Sequence, residues 1–337
     1  MHDRLVTTIR AVLLRLSAPD YVERMLRAPE QLSAWSGVAG VLIDGQESDV
    51  PLPPAACAPC AVFVRSGSEV DPNCVDGFVE DAQQLLLERC ASSTPIAFAT
   101  AARVARVAAQ SDPRNALFVE SAAYSLLQTG SEFKRWLEGN LKGSRRPGRR
   151  ESVVDTQRDG DCLSITLHEP DRRNAFSCIM RDELREALTL AVIDRSIARV
   201  VLQGSGSNFS SGGDLAEFGS ATSPLDSHLV RTTDSVPQLL LDLRSRLGER
   251  LECRVHGANA GAGVELAAFA GVVVASPDAT FRMPEVEMGL IPGSGGTVSV
   301  TNRVGRHRAV TMMLSGAVID VTTALEWGLV DGVEEWR

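Results

Sequence analysis

The chain has 337 residues, 44% hydrophobic and 23% charged, which is enough for one large or two ordinary domains with ample core. It holds no run of about 18 apolar residues, and its start, M-H-D-R-L-V-T-T-I-R, lacks a basic stretch followed by an apolar one, so neither a membrane span nor a secretory leader is expected. A formal net charge of −9 argues against broad nucleic-acid binding.

The seven cysteines are scattered, and Cys57-Ala-Pro-Cys60 is the only close pair. Without a second pair or a βαβ context, they read as reduced and mostly buried. His168, His228 and His307 have neither triad nor metal spacing, so no metal is expected. Lys134 and Lys142 are the only lysines, which leaves phosphate contacts to arginine.

In chain order, residues 1–27 carry apolar residues at helical spacing, interrupted near Ser17–Pro19, and read as a helical hairpin or broken helix. Val38–Ile43 and Cys60–Val64 read as strands, with P-L-P-P-A-A as loop between them. Residues 1–75 carry no functional signal. Residues 76–142 read as a helical region, with Pro95 opening one helix and Ser131 capping the last before Gly139-Asn140. Residues 143–152, with Arg145, Arg146, Arg149 and Arg150 among Gly, Ser and Pro, read as a basic linker, more in keeping with a solvated connector than a phosphate-binding arm.

From 153 to 337 the grammar changes to strand, helix, strand. C-L-S-I-T-L alternates as a strand, and Met180, Leu184, Leu188 and Ala191 form a helical stripe. Arg199–Gln203 is a second strand, leading into the glycine-rich G-S-G-S-N-F-S-S-G-G-D-L. A helix near Ser235–Leu247 precedes strands at Glu252–Val255 and Val272–Ala275.

The stretch Val255–Glu287 concentrates the chemistry. Gly257, Gly261 and Gly263 allow a tight backbone approach, and Glu265 follows where an apolar segment begins. Glu285 comes 20 residues later, behind a proline. Free amides at a helix start, with two carboxyl groups nearby, suit stabilising an oxyanion while protons move.

Five motifs in register make residues 151–333 resemble the enoyl-CoA hydratase/isomerase, or crotonase, superfamily. They are P-D-R-R-N-A-F, N-F-S-S-G-G-D-L, H-G-A-N-A-G-A-G-V-E-L, M-P-E-V-E-M-G-L-I-P-G-S-G-G-T and L-S-G-A-V-I-D-V-T-T-A-L-E-W-G-L-V-D. The resemblance implies an α/β fold, a crotonase-like spiral of ββα turns with an additional mainly helical region. It implies acyl-CoA thioester chemistry without a further cofactor, coenzyme A being part of the substrate and acyl-carrier protein the alternative carrier. By motif position the oxyanion donors are the Ser211 and Ala262 N–H groups, and Glu265 and Glu285 are the catalytic pair. Arg172, Arg173, Ala175, Gly212, Gly213 and Gly261 fall at substrate- or CoA-binding positions. A cytoplasmic homotrimer or hexamer is expected.

The resemblance, with both glutamates that the family's hydrating members carry present at the family spacing, implies a hydratase or dehydratase, with an isomerase or a non-catalytic partner subunit as alternatives. Asp214 reads as a loop brace, His256 as a structural hydrogen bond and Glu287 as a surface or salt-bridge residue. The chain departs from the family pattern at L-E-C-R with Arg254, at Ala262 where the family has glycine, and at Ala270-Gly271. Residues 76–142 look like the family's C-terminal helices moved to the front, a circular permutation, with Val75-Asp76-Gly77 and Val330-Asp331-Gly332 as the marks of a duplication.

Overall fold

The computed structural model describes residues 12–44, 51–140, 152–220, 223–233 and 235–335. The basic arginine cluster of the linker lies outside these residues.

The chain opens with a parallel sheet. Its strands are β1 (Val12–Ser17), β2 (Val38–Asp44), β3 (Ala61–Arg65) and β4 (Gly77–Val79), side by side in that order, with helix α1 (Ala18–Arg27) after the first. The helical reading of residues 12–17 is thus corrected: V-L-L-R-L-S is a strand in parallel register with β2. A six-residue apolar run fits either period, and the available partner strand decides. Ser17 then caps α1 by accepting the Asp20 N–H.

Parallel sheets are normally covered on both faces, and this one is. Leu13, Leu42 and Phe63 face the main core, while Tyr21, Leu32, Val41, Ile43, Val62 and Val64 form a second cluster behind it. The alternation along β2 and β3 is the period of two that a strand imposes.

Four helices follow: α2 (Asp81–Ser93), α3 (Pro95–Gln110), α4 (Pro113–Leu127) and α5 (Ser131–Asn140). Proline opens α3 and α4 at positions where its missing N–H costs nothing, and Asp112 caps α4. The Glu132 side chain accepts the Ile96 and Ala97 N–H groups, tying the start of α5 to the start of α3. Ala97, Ala101, Ala102, Ala105 and Ala108 are all buried in α3, and such small side chains let helices and sheets approach closely.

The second half is built of ββα turns. β5 (Val154–Asp159) and β6 (Cys162–Leu167) form an antiparallel hairpin, followed by α6 (Cys178–Ile193), β7 (Arg199–Gly204), α7 (Pro224–Thr233) and α8 (Val236–Leu247). Next come β8 (Leu251–Val255), β9 (Ala258–Ala260), α9 (Ala262–Ala267), β10 (Val272–Ala275) and β11 (Thr280–Arg282). The chain continues through α10 (Gly296–Val304), α11 (Arg306–Ser315), β12 (Ile319–Asp320), α12 (Val321–Trp327) and β13 (Gly332–Val333). A six-stranded sheet runs β13-β10-β8-β7-β6-β5, and a small sheet runs β12-β11-β9. The pairs β8–β9 and β10–β11 step from the large sheet to the small one. Arg254, unusual in its strand, pairs with Glu252, which also takes Arg199 at 2.5 Å.

α3 lies between the first sheet and helices α10 and α11, so a single apolar core runs from Leu13 to Val330. The two V-D-G triplets occupy matching places. Asp76 donates its N–H to Val62 O (2.6 Å) and accepts the Val62 N–H at Oδ2 (2.8 Å). Asp331 does the same with Val273, at 2.8 Å each way. Each leads into an edge strand, β4 or β13, and each carboxylate meets arginine: Arg106 and Arg306 at Asp76, Arg303 at Asp331.

Asp76 is fully buried and Arg106 nearly so, with Arg106 also donating to the Ala58 and Cys60 carbonyls. Removing one partner of such a cluster strands the other charge. Asp76→Ala is therefore expected to lower unfolding stability by about 3–5 kcal/mol in urea titrations. A loss below about 1 kcal/mol would contradict a buried ion-pair role.

Candidate active site

The motif loops fold against one another. Asn174, fully buried, ties the first to the second: its side chain accepts the Glu169 N–H (2.8 Å) and donates to the Ser205 and Asn208 carbonyls (2.8 Å each). Arg173 and Asn174 both adopt positive φ, 53° and 51°, which sharpens this turn. Phe176 N–H donates to Gly212 O at 2.7 Å, locking the first motif loop to the second. Arg172 pairs with Asp214 and Glu169, so it braces the loop from inside. Asp214 also accepts the Ala216 N–H, and His256 Nε2 bonds Gly206 O at 3.0 Å. Glu287 pairs with Arg282 at 2.8 Å.

The third motif loop turns at Gly261, φ 46°, and starts α9 at Ala262. Gly212 packs so closely on Ala260 that a Cβ there would overlap the Ala260 carbonyl. As the first residue of α9, Ala262 has an N–H with no intrahelical acceptor. Ser211 differs: its N–H donates to Arg173 O at 2.9 Å, so it serves a ligand only if that bond opens.

A cavity of about 420 Å³ opens beside these loops, and Glu265, Glu285, Gly213 and Asp214 line it. Arg172, Arg173, Ala175, Ser211, Gly212, Gly261 and Ala262 are not on its wall. Gly261 nevertheless abuts it, because a Cβ at that position would overlap Glu285 Oε1. Among the described residues no group of three or more His, Cys, Asp or Glu could hold a metal ion, and no helix is long and apolar enough to cross a membrane.

The two glutamates are held differently. Glu265 Oε2 accepts the Ser294 and Gly296 N–H groups at 2.7 and 2.8 Å. Glu285 Oε2 is buried with no hydrogen-bond partner. Burial pushes Glu265 up to about 7, against the pull of its two amides and of Arg231. Burial also pushes Glu285 well above the usual carboxylate range, and the neighbouring Glu265 charge adds to it. Paired carboxyls so displaced are poised to exchange protons near neutral pH.

Sequence reasoning missed the part of the wall that comes from α4 and α7. Glu120, Tyr124 and Arg231 line it, with the Arg231 guanidinium 4.0 Å from the centre of the Tyr124 ring and bonded to Gly293 O (3.1 Å). Glu120 falls four residues after Ala116 and four before Tyr124, both buried, so the helical period placed it on an inward face. Phe218 closes another side, its ring tilted against Phe133 and Trp136 of α5.

These buried acids make the fold sensitive to pH. An unfolded glutamate ionises near pH 4.3, whereas Glu120, Glu265 and Glu285 all ionise later when folded. The Glu120 and Glu265 contributions are complete below about pH 4.3 and are lost as pH rises from there through about 7 to 8, and Glu285 acts in the same direction. Urea stability is therefore expected to fall between about pH 5.5 and 8.5, and to fall less in Glu285→Gln, whose Oε2 satisfies no donor. An unchanged slope in that variant would rule out a strongly raised Glu285.

The second half of the chain is similar to known proteins. A family model described as enoyl-CoA hydratase/isomerase matches residues 157–334. Over 183 residues the chain is 37% identical to the 2,3-dehydroadipyl-CoA hydratase of Escherichia coli (strain K12), covering 54% of this chain and 69% of that one. Over 168 residues it is 32% identical to the 1,2-epoxyphenylacetyl-CoA isomerase of the same organism, covering 50% and 64%. A solved enoyl-CoA hydratase from Mycobacterium smegmatis is 32% identical over 54% of this chain and 70% of its own, with a TM-score of 0.48. The chain belongs to the enoyl-CoA hydratase/isomerase family.

Proposed function

We propose that the protein is a lyase that adds water to a 2-enoyl thioester, or dehydrates the 3-hydroxyacyl form, through an enolate. The observation that carries this reading is that Glu265 and Glu285 line one cavity with raised proton affinity, one carboxylate anchored by amides and the other with a free oxygen. The Ala262 N–H supplies one donor to the thioester oxygen, and the Ser211 N–H supplies the second after leaving Arg173 O. Preorganised donors of this kind are each worth about 3–4 kcal/mol of transition-state stabilisation.

In the hydration direction the carboxylate pair holds a water. Its oxygen bonds to C3 as its proton passes to one glutamate. The resulting enolate takes a proton at C2 from the other glutamate, and the thioester carbonyl re-forms. The carrier is coenzyme A or an acyl-carrier protein, in a cytoplasmic homotrimer or hexamer. Arg173, Ala175, Gly212 and Gly213 belong to the face that the thioester approaches, while Arg172 holds that face through Asp214. Residues 76–142 take the part of the family's C-terminal helices, a reading supported by α4 forming a wall of the cavity.

A second reading, double-bond isomerisation, draws on the unpartnered Glu285 Oε2: Glu285 alone shuttles a proton and no water adds. Crotonyl-CoA hydration in labelled water separates the two, because only hydration places solvent oxygen in the product. Glu265→Gln and Glu285→Gln are each expected to lower kcat by about 10²–10⁴-fold. A wild-type protein that binds acyl-CoA but transforms no member of an enoyl-CoA panel would support a non-catalytic partner subunit instead.

A further inference from the structure

One buried carboxylate of the cavity wall is supplied by the first half of the chain. Glu120, in the middle of α4, is 2% exposed. Its Oε1 accepts the Gly295 N–H at 2.7 Å, and its Oε2 accepts the Thr297 N–H at 2.9 Å and the Thr297 hydroxyl at 2.6 Å. Glu265 takes the amides on either side, Ser294 and Gly296. Four consecutive N–H groups thus alternate between two carboxylates as the chain enters α10. The alternation is possible because Gly295 sits at φ 95°, ψ 6°, which turns its amide away from its neighbours.

Neither carboxylate defines this turn alone. With one removed, two amides lose their acceptor in a dry site and the turn relaxes toward other partners. The donors that fix the remaining carboxylate move with it. We infer that Glu120 is a positioning residue for the thioester reaction: it clamps residues 294–297, and through them fixes the carboxylate of Glu265 in the cavity.

Glu120 is itself set among ionisable groups. Glu265 faces it from α9, Glu285 from the turn after β11 and Arg231 from α7, while Tyr124 lies one turn along its own helix. His228 of α7 bonds the adjacent Ser121 at 2.9 Å. Burial and the Glu265 charge push Glu120 up to about 8. Glutamine at this position sets an amide N–H against the N–H row, because both Glu120 oxygens accept. Glu265 then loses donors that favour its charged form.

This inference rests on the proposed thioester reading, so the assay is one that hydratase and isomerase share: exchange of the α-protons of butyryl-CoA in heavy water, followed by NMR across pH. Glu120→Gln is expected to lower kcat for exchange about 10–100-fold with KM changed less than about threefold. Its acid limb is expected to move, because the donors that set the Glu265 proton affinity are disturbed. A folded Glu120→Gln variant with unchanged kcat, or with kcat scaled equally at every pH, overturns the clamp. Should that variant not fold by circular dichroism, Thr297→Val removes only the hydroxyl donor. It is expected to give a smaller loss with the same displacement of the acid limb, and an unchanged profile overturns the inference. A wild-type protein that exchanges nothing overturns the thioester reading, and the clamp with it. Exchange in the wild type that Glu120→Gln leaves intact overturns the clamp alone.

Discussion

Two carboxylates competing for one row of amides is the constraint around which this molecule closes. The start of α10 exposes N–H groups that must find acceptors in a dry interior. One acceptor, Glu265, belongs to the ββα half; the other, Glu120, arrives from 175 residues earlier. The same four amides therefore fix the geometry of a candidate catalytic group and weld the first half of the chain to the second. The arrangement keeps acids in a place where burial resists their ionisation, and that cost is borne by the fold as a whole.

The paired V-D-G triplets show a second, older-looking regularity. Asp76 and Asp331 exchange the same two backbone hydrogen bonds with the neighbouring strand, and each leads an edge strand into a parallel sheet. Residues 12–79 carry no glycine-rich loops or paired acids of the kind found at 208–213 and 257–285, so the repeat is one of scaffold and not of chemistry. What the first half contributes is a sheet on which α3 rests, and through α3 and α4 part of the cavity wall.

Much of the second half was legible in the sequence because its signals are local. Strands at 199 and 272 carry β-branched runs, and the stripe Met180, Leu184, Leu188, Ala191 is buried as its period implied. Glu265 and Glu285 stood out because glycines and a proline mark their loops. The first strand was misread, since a short apolar run has no period of its own until a neighbour pairs with it. Glu120 was missed for a related reason: a glutamate in F-V-E-S-A-A-Y looks like a surface residue unless its place on the buried face is weighed more heavily than its charge. The Ser211 N–H shows the opposite gap. The motif names it as a donor, but only coordinates reveal that the Arg173 carbonyl already holds it.

The alanine-lined helix α3 has a consequence for how the chain reaches its final state. During synthesis the helices emerge before the ββα half that they cover. In that interval α3 already has the first sheet to lie against: Phe98 meets Phe63 with ring centres 6.2 Å apart, and its ring lies within contact range of Gly40. The β1–β4 sheet thus gives α3 a temporary shelter, leaving its other face free for α10 and α11. The small alanine side chains serve both partners, so the helix need not turn over when the second half arrives. In the finished molecule the sheet stays in place as the floor of α3, so one helix joins the two halves through both of its faces.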